Sequence, residues 1–70
     1  MPHTPSFTPK ELARILEKNG FVLKRVKGSH HYFVNIQTKK IAVVPMHQKD
    51  LPKGTLLAIL KQAGIDKNEF

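Results

Sequence analysis

A chain of 70 residues has room for one domain with a thin core, because a fold of this size buries only about 60% of the surface its unfolded form exposes. It holds no cysteine, which excludes disulfides and thiolate chemistry, and no apolar run near the ~20 residues that span a bilayer. Twelve Lys and Arg against five Asp and Glu give a net charge of +7, a sign that points to a polyanionic partner and first to nucleic acid.

Met1-Pro2-His3-Thr4-Pro5 lacks a charged start followed by an apolar stretch, so no signal peptide is expected and the location expected is the cytoplasm. Residues 1–7 carry two prolines and no periodicity and read as a disordered lead. Thr8-Pro9-Lys10-Glu11 then starts a helix, with Thr8 as cap, Pro9 in the first helical position and Glu11 closing a capping box. Leu12, Ile15 and Leu16 follow at helical spacing with Arg14, Glu17 and Lys18 outside, and Asn19-Gly20 ends the helix.

Residues 21–26 are rich in strand formers, and Lys27-Gly28 can turn the chain. A second strand is expected from Ser29 to Ile36, a polar turn over residues 37–40 and a third strand from Ile41 to Val44. Pro45 stops that strand or confines it to an edge. Short links between three strands favour an antiparallel meander. Asp50-Leu51-Pro52 opens a second helix, with Asp50 or Leu51 near the cap and Pro52 in the first turn. Leu56, Ile59, Leu60 and Ala63 form its apolar stripe, and Gly64 closes it. Asp66 and Glu69 can cap a last short turn ending at Phe70. The expectation is an α+β fold, α-β-β-β-α, over residues 1–70. Two amphipathic helices share one face of a three-stranded antiparallel sheet and leave the other open.

Of the four histidines, His3 falls in the lead. His30 and His31 are adjacent on a strand and point to opposite faces, so they do not readily share an ion; with no cysteine and Asp50 the nearest acid, no metal and no cofactor are expected. Lys27-Gly28-Ser29-His30-His31-Tyr32-Phe33 is the most informative stretch. Lys27, the Gly28 and Ser29 N–H groups and the Ser29 hydroxyl suit a phosphate, and Lys24 and Arg25 add charge beside the same hairpin. An imidazole suits proton transfer near neutrality. RNA brings its own nucleophile, the 2′-hydroxyl, so a base beside cations can cleave it without a metal. Tyr32 and Phe33 read as packing residues, Lys39-Lys40 as a solvated turn. From the residues alone, nucleic-acid binding is favoured and catalysis permitted.

Gly20-Phe21 after an amphipathic helix, Lys27 to Phe33, Val43-Val44-Pro45-Met46-His47, Asp50 to Leu56 and Ile59 to Ile65, in that order and spacing, resemble the HicA toxins, also called YcfA-like proteins. The resemblance runs from about Pro9 to Ile65. It implies a double-stranded-RNA-binding-like fold and a toxin of a type II toxin–antitoxin system. The implied activity is a metal-independent messenger-RNA endoribonuclease with a histidine general base, neutralised by a HicB-type antitoxin. Such a toxin is expected to be a monomer when free and a hetero-oligomer with its antitoxin. The alternative class is a non-catalytic RNA-binding module.

The family's catalytic histidine lies in its G-S-H-H segment and carries over to His30. Regular alternation groups His30 with Tyr32, Val34 and Ile36, and His31 with Phe33 and Asn35. The first set is the more apolar, which points to His31 as the exposed ring, whereas Gly28 permits an irregular strand entry. His30 is therefore the first choice and His31 the second. Lys53, at the start of the second helix, and His47, in the preceding loop, join Lys24, Arg25, Lys27, Gly28 and Ser29 as candidate RNA contacts.

Overall fold

A computed structural model describes residues 7–65; the lead residues 1–6, His3 among them, and the turn expected over residues 66–70 lie outside them. The order is α1 (Pro9–Lys18), β1 (Phe21–Lys27), β2 (His30–Asn35), β3 (Ile41–Pro45) and α2 (Lys53–Ala63), the expected α+β arrangement. The strands form one antiparallel sheet in the order β1-β2-β3. Among the described residues no helix is long and apolar enough to cross a membrane.

Helix α1 begins as its sequence dictates. The Thr8 side chain accepts from the Glu11 N–H, and the Glu11 carboxylate accepts from the Thr8 N–H, so two orphan donors are satisfied reciprocally. Helix α2 departs from expectation: its cap is Pro52 itself, not Asp50 or Leu51, and no side chain closes its N-terminus. Gly64 ends it at φ +74°, a left-handed geometry that a Cβ disfavours. A Cβ there would also meet the Lys40 side chain at 2.8 Å, but that chain is exposed and can move aside. Gly64→Ala is therefore expected to cost about 1–2 kcal/mol, nearly all of it backbone strain, measured by denaturant unfolding.

Two further expectations are corrected. Phe7 is not part of a loose lead: it forms an antiparallel bridge with Leu51, whose N–H donates to the Phe7 carbonyl at 2.7 Å, and it packs on the core. Strand β2 ends at Asn35, leaving Ile36 exposed in the turn, because the Asn35 side chain organises that turn instead of continuing the ladder. Its Oδ1 accepts from the Gln37 and Thr38 N–H groups, and its Nδ2 donates to the Asn19 carbonyl at the end of α1.

The core consists of Leu12 and Leu16 from α1, Phe21, Phe33, Ala42 and Val44 from the sheet, and Leu56, Ile59, Leu60 and Ala63 from α2, with Leu51 and Ile65 beside it. Phe33 pairs with Ala42 and His31 with Val44, and paired residues share a face. Phe33 and Asn35 are thus on the covered side, and the expectation that the Val34 side is the buried one is wrong. The reason is that Ile36 is not in the strand, and Val34 is only half-buried opposite the exposed Val22 and Ile41.

Candidate nucleic-acid interface

The open face is built from cross-strand rows. Lys27 pairs with His30 and His30 with Pro45; Arg25 pairs with Tyr32 and Tyr32 with Val43; Val22 pairs with Val34 and Val34 with Ile41. Strict alternation from the buried Phe21 would have turned Arg25 and Lys27 toward the helices. A β-bulge at Lys24 prevents this. Leu23 pairs with Phe33 and Arg25 with Tyr32, so two steps on β1 answer one on β2, which shifts every later β1 residue to the other face. The bulge brings Arg25 and Lys27 alongside Tyr32 and His30.

The β1–β2 hairpin closes through Gly28 and Ser29, with Gly28 at φ +61° and open space around the position a Cβ would take. A glycine at the first position of a two-residue loop matches the strand twist. Past β3 the alternation continues. Met46 packs against the core, its N–H donating to the Ser29 carbonyl at 2.7 Å. His47 then emerges exposed, and its Nδ1 shares a hydrogen bond of 3.1 Å with the Ser29 hydroxyl.

Two imidazoles consequently meet at one end of the open face. The ring centroids of His30 and His47 are 5.8 Å apart with planes tilted by 55°, and both residues are exposed. His31 is placed otherwise. It is half-buried on the covered side, its ring centroid 6.5 Å from that of Phe33. In the next row the Arg25 guanidinium lies 5.8 Å from the Tyr32 ring centre, within cation–π range. A shallow hollow of ≈ 220 Å³ opens there, lined by Lys24, Arg25, Tyr32, Phe33, Val34 and Ile41.

The charge is one-sided. From Lys18 to Lys49 the chain has no acidic residue, whereas Lys24, Arg25, Lys27, Lys39, Lys40 and Lys49 fall within it. The three strands and the turns that join them thus carry charge of positive sign only. Among the described residues, His, Asp and Glu nowhere gather in threes as metal ligands.

The structure therefore brings Lys24, Arg25, Lys27, Gly28, Ser29, His30 and His47 to one connected surface. Lys53 is the exposed first residue of α2, which follows the loop that carries His47. Sequence reasoning missed Tyr32, read as packing: it is half-buried on the open face beneath Arg25. Only the bulge explains that pairing, and nothing in the Leu23-Lys24-Arg25 sequence marks it.

Comparison with known families places a match over residues 9–65 with the family described as the HicA toxin of bacterial toxin–antitoxin systems. No curated protein matches the chain.

Proposed function

The chain belongs to the HicA toxin family, and on that premise we propose that it is the toxin of a toxin–antitoxin pair and acts in the cytoplasm as an endoribonuclease on messenger RNA, with His30 as the general base. The observation that carries this reading is the position of His30: an exposed imidazole on an uncovered sheet face, cross-strand from Lys27 and one row from Arg25. In its neutral form the ring accepts the proton of a ribose 2′-hydroxyl. Lys27, the Gly28 and Ser29 N–H groups and Ser29 Oγ offer positive charge and donors to the phosphate that the hydroxyl attacks. The nucleophile belongs to the substrate, so the reaction as proposed calls for no metal and no cofactor.

Lys24, Arg25, Lys27, His47 and, from α2, Lys53 are the groups proposed to hold the RNA backbone. A HicB-type antitoxin is the proposed partner, with the free toxin a monomer and the neutralised form a hetero-oligomer. The chain, purified free of contaminating nucleases, is expected to cleave a messenger transcript in excess chelator, alongside a His30→Ala control. RNA bound but left intact by the wild type would replace this reading with that of a passive RNA-binding module.

The basic row has its own signature. On single strands the logarithm of the binding constant falls with the logarithm of salt by about 0.7 per phosphate contact. Replacing Lys24, Arg25 and Lys27 together by alanine is expected to make that slope shallower by about 2, as read from RNA-binding titrations at several salt concentrations. An unchanged slope would remove the β1 cations from the interface.

A further inference from the structure

A base at His30 accounts for one of the two protons that strand cleavage must move; the other goes to the oxygen that leaves phosphorus. We propose that His47 is the general acid that supplies it. The assignment rests on the endoribonuclease reading above and adds a second catalytic residue to it.

Four observations converge on His47. Its ring centroid lies 5.8 Å from that of His30, although the two come from different elements. Both are exposed, so a phosphodiester can approach both at once. The ring is held in place: Nδ1 is engaged with Ser29 Oγ at 3.1 Å, which leaves Nε2 as the nitrogen facing a substrate. The backbone beneath it is also pinned, by Met46 N–H on the Ser29 carbonyl at 2.7 Å and Gln48 N–H on the Pro45 carbonyl at 3.3 Å. Other proton donors are less suited. No strand carries Asp or Glu, His31 sits on the covered side, and an ammonium holds its proton far more tightly than an imidazolium does.

In the step this geometry describes, the 2′-oxygen forms a bond to phosphorus while its proton passes to His30. The bond from phosphorus to the 5′-oxygen breaks, and that oxygen takes a proton from His47. The products are a 2′,3′-cyclic phosphate and a 5′-hydroxyl. His30 ends protonated and His47 neutral, and exchange with water resets both.

The test is to replace the leaving 5′-oxygen by sulfur in an RNA oligonucleotide, at a cleavage site mapped with the wild type. A thiolate leaves without protonation. At saturating RNA, where a lost backbone contact does not set the rate, His47→Ala is expected to cleave ordinary RNA about 10²–10⁴-fold more slowly than the wild type and the sulfur-substituted RNA at close to the wild-type rate, while His30→Ala stays slow on both. Because His47 is exposed, the variant should melt like the wild type, which separates lost chemistry from lost fold. His47→Ala as fast as the wild type on ordinary RNA, or not rescued by sulfur, overturns the assignment alone; so does rescue of His30→Ala in its place. A wild type inert on both substrates overturns the endoribonuclease reading and this assignment with it.

Discussion

His30→Ala is expected to lower RNA cleavage by about 10²–10⁴-fold, the range that positioned proton transfer contributes, and to let cells induced for the toxin keep growing. The fold should be unaffected. His30 is exposed and pairs across the sheet with Lys27 and Pro45 through backbone, not through packing of its ring. The contrast is His31→Ala, whose ring is half-buried beside Phe33 and cross-strand from Val44. That change removes side-chain packing on the covered face, so it is expected to cost about 1 kcal/mol or more of stability while cleavage persists. Measuring growth, RNA integrity and thermal unfolding for both variants separates the two roles. A toxic, RNA-cleaving His30→Ala chain would remove His30 from the mechanism.

Asn35→Ala is expected to give the largest loss of stability from a polar residue, roughly 2–4 kcal/mol. Asn35 is 9% exposed and is the one buried polar residue among those described. Its side chain accepts from the Gln37 and Thr38 N–H groups and donates to the Asn19 carbonyl. Truncation strands three backbone groups around a small void, each costing about 1–3 kcal/mol where water cannot reach it; the partial exposure of the turn places the sum at the lower end. At about 0.05–0.15 kcal/mol per residue, the whole chain has roughly 4–10 kcal/mol to lose. The variant should therefore unfold at markedly lower denaturant concentration, and at the weak end of that range the full loss would leave about half of the chains unfolded. Asn35→Asp tests the donor alone: Oδ1 still accepts from the turn, but the carboxylate faces the Asn19 carbonyl. A denaturation midpoint equal to the wild type for both variants would remove this network from the account of stability.

Much of the architecture was legible because it depends on neighbours in the chain. Thr8, Pro9 and Glu11 define the start of α1, Gly64 the end of α2, and the stripe of Leu56, Ile59, Leu60 and Ala63 its buried face. Each is a local geometric statement that short-range sterics and hydrogen bonding decide. Where the reading failed, distant contacts had intervened. Phe7 is ordered by Leu51, more than forty positions later in the chain, and Ile36 leaves β2 because Asn35 bonds across the turn and back to α1.

Read alone, the 70 residues already imply a small basic α+β chain with the order α-β-β-β-α, and His30 and His31 side by side just after the first hairpin turn. Composition and local propensity suffice for that. Which of the candidate side chains stand together depends on contacts between segments distant in the chain. A single extra residue at Lys24 swings Arg25 and Lys27 onto the face of His30, and the Met46 anchor delivers His47 to the same place. Side chains on a strand alternate with a period of two, so one bulge reverses every later orientation. Whether a bulge forms is settled by pairing with a neighbouring strand, not by the residues at the bulge.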